Sequence, residues 1–337
     1  MNMSKINSPN ITAFLETLRR KNINYIPLAE LGVHPKIKEL FLSKKINGLE
    51  DEVDFWEKAG YDYIKLQPKA DFNPMKIGLD NHVSYNDDGT IFRKWASENN
   101  GVISNYDDLE KYTFPSISDF DYTNFEKVKS FLPDGMGVVG QYGFESFSIA
   151  LFENDELVEN LNDRLGRLVL SMFEYFAQSD VVNAIWYSDD IAYTNSLMIS
   201  PQVLDKYFFS WLKKIGDLAK QYNKPFIYHT DGLLYDVMDK IIDCGVDAIH
   251  PIEPKAMNIA DVKKRYGNKL CLIGNIDVDL LSRGTTDEIR NNVYKNVEDV
   301  GFDGGYCVGS GNSIPEYVKL ENYIAMIDAV KEINSKF

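Results

Sequence analysis

Across residues 184–310 the chain runs through one unit five times: a short apolar strand, one or two polar residues at its end, then a capped amphipathic helix. The strand segments read AIWYSDD (184–190), PFIYHTD (225–231), DAIHPIE (247–253), LCLIGNID (270–277) and GGYCVGS (304–310). Strands buried on both faces read as continuous apolar runs, and strands alternating with helices connect right-handedly into a parallel sheet. Three earlier segments have the same character: YIPLAEL (25–31), YDYIKLQ (61–67) and GVVGQYG (137–143). The count of eight predicts an α/β protein, a (β/α)8 TIM-type barrel. Its strand carboxyl ends converge on one mouth, where the catalytic side chains of such barrels gather.

Helix signals punctuate the strands. Pro35–Leu42 and residues 51–59 follow the first, and residues 154–179 follow the third, with Asn154 as cap. Ser200 caps a helix that begins at Pro201, with Leu204, Phe208, Leu212, Ile215 and Ala219 on one face and Asn223 as its stop. Thr285 and Glu288 form a capping box for a helix ending at Gly301, and Gly245 and Gly267 are expected to close two more. Residues 68–134 exceed what a loop and one helix need. They hold VSYNDDGTIFRKW (83–95), a hairpin pattern turning at Asp87, Asp88 and Gly89. A long insertion at the carboxyl end of the second strand is expected to act as a lid, with Tyr85 and Trp95 as anchors. No linker composition divides the chain, so residues 1–337 are expected to form a single barrel domain.

A formal charge of −15 repels phosphate backbones, and no basic cluster beyond Arg19, Arg20 and Lys21 breaks it, which argues against nucleic acid as partner. No apolar run is long enough for a membrane span and no signal-peptide pattern opens the chain, so a cytoplasmic protein is expected. Cys244, Cys271 and Cys307 show no CxxC spacing and lie in apolar contexts, as buried free thiols do.

The strand ends place Glu30, Gln67, Gln141, Asp189, Asp190, His229, Asp231, Glu253, Asn275, Asp277 and Ser310 around the mouth, with His34 just past the first strand. The ring is acidic, and Tyr142, Phe144, Tyr187, Tyr193 and Tyr228 are interleaved with it. His229, two residues from Asp231, suits a metal ligand, a general base or an acid, or else a histidine bonded to the next strand. Asp189 and Asp190 alternate in direction, so at most one points fully into the mouth. Glu253 stands between Pro251 and Pro254 on a rigid turn, and His250 sits mid-strand, as a core residue would.

The segments SDDIAYTNSLMISPQ (188–202), HTDG (229–232), GVDAIHPIEP (245–254), DVKKRYGNKLCLIGNIDVDLLSRGT (261–285) and GGYCVGSGNSIPEYVKLENY (304–323) resemble the uroporphyrinogen decarboxylase superfamily, which includes cobalamin-linked methyltransferases. The superfamily fold is an (α/β)8 barrel. True porphyrinogen decarboxylases carry an N-terminal arginine pair and an aspartate after the second strand. Here the corresponding stretches, IPLAELGVHPKI and DYIKLQP, hold neither. A polycarboxylate would meet Glu30, Asp189, Asp231, Glu253 and Asp277, and like-charge juxtaposition of that kind costs several kcal/mol. The resemblance is therefore closer to the methyltransferase-like members.

The coenzyme M methyltransferases of that group bind zinc through a His-x-Cys pair and a later Cys. The matching positions here are His229, Asp231 and Asn312, so the histidine is kept and both thiolates are replaced. A nitrogen and oxygen set is harder and suits an oxygen or nitrogen leaving group. The resemblance implies methyl transfer from a small ether or amine to a corrinoid carried by a partner protein, in a homo-oligomer. His229, Asp231, Asp189 and Asp190 are the expected catalytic residues, and Glu30, Tyr142, Tyr187, Asn275, Asp277 and Ser310 the expected substrate contacts. Zinc is the expected metal, held by His229, Asp231 and Glu253. The alternative is decarboxylation of a carboxylated substrate, with Lys65 or Arg283 as the carboxyl-binding cation.

Overall fold

The computed structural model describes residues 8–69, 106–143 and 155–336. Nine strands occur among them: β1 (Tyr63–Leu66), β2 (Gly137–Gly143), β3 (Ala184–Ser188), β4 (Ala192–Tyr193), β5 (Ser196–Leu197), β6 (Phe226–His229), β7 (Ala248–His250), β8 (Cys271–Ile273) and β9 (Tyr306–Cys307). Seven form one parallel sheet in the order β1-β2-β3-β6-β7-β8-β9, and β4 and β5 pair as a small antiparallel hairpin. The order follows the sequence, as repeated strand–helix units connected without crossing require.

Alternation along each strand sorts the side chains into two sets. Tyr63, Val139, Ala184, Trp186, Ile227, Ala248, Cys271, Ile273 and Cys307 pack in one inner cluster with Phe14 and Leu18. Residues of the two edge strands, β1 and β9, meet in that cluster, so the sheet curls upon itself. The opposite parity, including Ile64, Val138, Ile185, Tyr187, Tyr228, Ile249 and Leu272, packs outward with Phe173, Phe176, Leu212, Ile215 and Val293 of the surrounding helices.

The expected eighth strand takes a different form. Residues 25–31 lie beside β9 through Ala29 N to Val308 O (2.8 Å) and Val308 N to Pro27 O (2.9 Å), a single parallel bridge at Leu28. On the other side, Glu30 N donates to the Tyr63 hydroxyl of β1 at 3.2 Å. Pro27 has no N–H to give, which is one reason the segment makes a bridge and not a ladder.

Of the long segment after β1, residues 106–134 form short helices, Tyr106–Lys111 and Thr123–Lys127, and Asp121 makes an antiparallel bridge to Lys69. The hairpin pattern at 83–95, with Tyr85 and Trp95, lies outside the described residues, as do Phe144 and Asn154.

The helix signals map closely onto the structure. Pro35–Leu42, Leu49–Ala59 and Asp155–Gln178 are helical. Ser200 accepts from Val203 N, and Pro201–Leu204 continues through a π turn, Asp205–Phe209, into Ser210–Gln221. Asn223 follows in the left-handed region at φ 53°. The Thr285–Glu288 capping box opens Thr286–Val300. Gly245 ends its helix at φ 89°, whereas Gly267 stays right-handed at φ −62°. All three cysteines are buried and free. No helix among the described residues is long and apolar enough to cross a membrane.

Candidate active site

β3 and β6 end at Ser188 and His229, so Asp190 and Asp231 stand on the turns just beyond them. The ladder runs on past the strands through Asp189 N to His229 O (3.1 Å) and Thr230 N to His250 O (2.9 Å), and the Thr230 hydroxyl accepts from Ile191 N at 3.0 Å. Gly232 turns the chain at φ 96°, and a Cβ there would lie 2.6 Å from the carbonyl oxygen of Tyr193 on the small hairpin. These bonds fix both turns against one another and bring three groups together.

Asp190, His229 and Asp231 each offer a ligand atom within 4.8 Å of the others, a potential metal-binding triad. His229 Nε2 lies 3.7 Å from Asp190 Oδ1, which also accepts from Asp231 N at 2.9 Å. Asn312 donates through Nδ2 to Asp231 Oδ2, while Asp231 Oδ1 is buried without a partner among the described residues. His229 is 5 % exposed, whereas the Asp190 side chain keeps 40 % of its surface open. Burial holds the His229 imidazole down to about 3, helped by the charge of Lys65, so it is neutral at ordinary pH. Burial, with Asp190 and Glu253 nearby, pushes the Asp231 carboxyl up to about 8 against the pull of the Asn312 amide. Burial also raises Asp190, opposed by the bond from Asp231 N.

Asp190 and Asp231 open onto a cavity of about 490 Å³, with Tyr193, Glu253, Asp277 and Lys255 among its lining. Among the described residues four carboxyl groups face one ammonium there, and Lys255 is itself paired with Asp279. Glu253 accepts from the Thr194 hydroxyl at 2.9 Å and lies outside the three-residue cluster, whose third member is Asp190. Asp277 caps Val278–Arg283 by accepting from Asp279 N.

The structure places the other expected residues apart from this cavity. Asp189 accepts from the Tyr187 hydroxyl at 2.9 Å and borders a small pocket with Tyr207, Phe208 and Trp211, on the helix side of the sheet. Tyr142 and Tyr187 share that outward parity. Tyr187 stacks with Tyr228 at 6.0 Å, and Tyr142 meets Phe120 edge-on at 6.2 Å. Tyr193, 61 % exposed, is the aromatic at the cavity among the described residues. Glu30 is buried and accepts from Ser310 N (2.6 Å) and Ser310 Oγ (2.8 Å), so these two hold each other and join residues 25–31 to the chain after β9. Burial pushes the Glu30 carboxyl up to about 8. Asn275, at φ 79°, donates to Ile252 O at 2.8 Å and supports the turn after β8. His34 is exposed and caps Pro35–Leu42. Arg283 is exposed at the end of its helix.

His250, expected as a core residue, and Lys65, expected only as a carboxyl-binding cation, both take a place beside His229. His250 Nδ1 lies 2.7 Å from His229 Nδ1. Lys65 follows inward-facing Tyr63 by two residues, and its charge reaches both histidines. Burial, with Lys38 nearby, holds the Lys65 ammonium down to about 7. The available signal was parity: Lys65 with Tyr63, and His250 with Ala248, share the inward face.

Residues 136–333 match the uroporphyrinogen decarboxylase (URO-D) family, and the chain belongs to it. It is 30 % identical over 145 residues to uroporphyrinogen decarboxylase of Pseudoalteromonas translucida, covering 42 % of this chain and 40 % of that protein. Against the enzyme of Trichodesmium erythraeum it is 23 % identical over 229 residues, covering 67 % of this chain and 56 % of the relative. The chain thus spans about half the length of these curated relatives. Among solved structures, a methyltransferase from Methanosarcina mazei superposes with a TM-score of 0.67 at 17 % identity, over 95 % of this chain and 98 % of that one. That likeness establishes a shared α/β architecture.

Proposed function

We propose that this chain is a methyltransferase that takes a methyl group from the oxygen or nitrogen of a small methylated substrate and delivers it to a corrinoid carried by a separate protein. The observation that carries the proposal is the Asp190–His229–Asp231 cluster beside an acidic cavity of about 490 Å³. The donor set fits a divalent cation. A neutral imidazole nitrogen faces two carboxyl groups, and Asp231 Oδ1 is buried without a partner among the described residues. His229 Nε2, Asp231 Oδ1 and an Asp190 oxygen would hold it. A zinc ion bound there supplies Lewis acidity toward the leaving heteroatom.

The remaining work falls to the chain's own residues. Asn312 fixes the direction of the Asp231 carboxyl. Tyr193, Glu253 and Asp277 form a wall that attracts a cationic methylammonium through charge and the ring face, and the same ring suits an aryl methyl ether. In transfer the carbon–heteroatom bond breaks with its electron pair left on the heteroatom. An ether oxygen leaving this way takes its proton from water at the open Asp190 side, an amine leaving from its ammonium form needs none, and the carbon bonds to the corrinoid through the corrinoid's own electron pair. Without the ion, Asp231, raised to about 8, would be the proton donor; with the ion bound it is a ligand and carries no proton to give.

Decarboxylation is the second reading. It rests on the inward-facing Lys65, which burial holds down to about 7, so that a carboxylate substrate bound beside it would have to draw it back to a full cation. The deciding experiment incubates the protein with a reduced corrinoid protein and methoxy or methylamine donors, following cobalt absorbance, with metal content measured alongside. Methyl transfer lost in His229→Ala supports the proposal. Carbon dioxide release from carboxylated donors with no change at cobalt overturns it.

A further inference from the structure

His229 ends β6 and His250 ends β7, and the two are register partners in the parallel ladder. Both side chains leave the inner face, with ring centroids 5.0 Å apart and planes tilted by 32°. Their Nδ1 atoms lie 2.7 Å apart, and both residues are buried, His250 completely. Two imidazole nitrogens at that distance form a hydrogen bond only when one carries a hydrogen and the other a lone pair. The two tautomers are therefore locked together: a hydrogen on one Nδ1 excludes a hydrogen on the other.

A cation on His229 Nε2 requires the hydrogen of that ring to sit on Nδ1. The only described group placed to receive it is His250 Nδ1. His250 then carries its own hydrogen on Nε2, an atom enclosed beside Trp186 with no hydrogen-bond partner among the described residues. We propose that His250 is the positioning residue of the metal centre: it accepts the Nδ1–H bond of His229 and so holds the Nε2 lone pair toward Asp190 and Asp231. Metal-bound histidines ordinarily donate their second N–H to a carboxylate, a carbonyl or water. Here the neighbouring strand supplies an imidazole, and its placement is set by strand register. The proposal rests on the cation-site reading given above.

The test compares wild type, His250→Leu and His250→Asn in zinc and cobalt(II) competition titrations. A two-bond ¹H–¹⁵N spectrum of the histidines in the zinc-loaded wild type completes it. Leucine fills the space without an acceptor, and the asparagine carbonyl can stand near the place of Nδ1. The expected result is a loss of about 10–100-fold in metal affinity for His250→Leu, the usual cost of removing an outer-shell partner, with most of it recovered in His250→Asn. The spectrum should show His229 protonated at Nδ1 and His250 at Nε2. A packing role alone would lower the unfolding temperature of both variants and leave affinity equal among folded proteins. Equal affinity in His250→Leu, or a hydrogen on His250 Nδ1 in the zinc form, overturns this proposal alone. A wild type that takes up no divalent metal overturns it together with the cation-site reading.

Discussion

At Asp231 the local electrostatics set a pH dependence whose sign can be worked out. The carboxyl titrates near 8 because burial and the nearby Asp190 and Glu253 disfavour its charge. A divalent cation needs the carboxylate, so below about pH 8 uptake expels a proton and above it no longer does. His229, held near 3, stays neutral and adds nothing to the slope. Apparent zinc affinity should therefore rise with pH, by up to about tenfold per unit while one proton is displaced, and level off above pH 8. Asn312→Leu removes the donor that lowers Asp231 and should move the levelling point upward. Asp231→Asn should flatten the slope and cost more than the ~10–100-fold typical of an outer-shell loss. Competition titrations between about pH 6 and 9 decide it, and an unchanged slope in Asp231→Asn would sink the assignment. His229 and Asp231 were legible in the sequence because an apolar run ends there in a polar pair and a glycine turn. His250 was not, since its meaning comes from pairing His229 with His250 across strands, and register is not written in either segment alone.

Among the elements, apolar runs located seven strands because buried parallel strands need no polar face. Residues 25–31 have the same composition yet make one bridge, since Pro27 lacks a donor. Parity was legible for the Asp189 and Asp190 pair as a constraint but not as a choice. Only the structure shows Asp189 turned to Tyr187 and Asp190 to the cavity. Close approach of helices was equally hidden. Gly216 lies in Ser210–Gln221, and a Cβ there would fall 1.8 Å from the carbonyl oxygen of Cys244 on the neighbouring turn. Alanine normally favours a helix over glycine by about 1 kcal/mol. Here the clash with backbone reverses the sign, and Gly216→Ala should destabilise by at least the ~1–3 kcal/mol typical of overpacking. Gly48, the N-cap of Leu49–Ala59, has nothing within 4 Å of its Cβ position, so Gly48→Ala is the clash-free comparison and should cost only the ~0.5–1 kcal/mol of a poorer cap in a urea titration. Equal midpoints for the two variants would mean that the helix moves away at little cost. Thr285→Ala, which removes the capping-box hydroxyl, should lose about 1 kcal/mol in the same titration.

For the molecule as a whole, one buried carboxyl adds a polar tie between the N-terminal described residues and the sheet. Asp62, just before β1, accepts from Asn10 N at 2.7 Å and from the Tyr25 hydroxyl at 2.9 and 3.0 Å, while its backbone carbonyl accepts from Gly137 N at 2.9 Å at the start of β2. It thus joins the first described helix, the bridging segment and two strands. Burial dominates those bonds and pushes the carboxyl up to about 7 from its ordinary 3.8. Between those two values the folded protein keeps a proton that the unfolded chain releases, so stability falls as pH rises from about 4 to about 7 and then runs level. Glu30 and Asp231 are raised to about 8 and bend the curve the same way, so the total slope identifies none of them. The difference between variants does. Asp62→Asn keeps an acceptor for Asn10 N and Tyr25 and cannot ionise, so its unfolding temperature should fall less steeply across that window and exceed that of wild type at pH 8. Asp62→Ala leaves the Asn10 amide and the Tyr25 hydroxyl without this acceptor; exposed Asn10 can turn to water, so the loss should be about 1–3 kcal/mol, chiefly for the half-buried Tyr25 hydroxyl, with the steep part of the slope gone as well. Parallel curves for wild type and Asp62→Asn would mean that Asp62 is already ionised in the folded state, and that its bonds outweigh its burial.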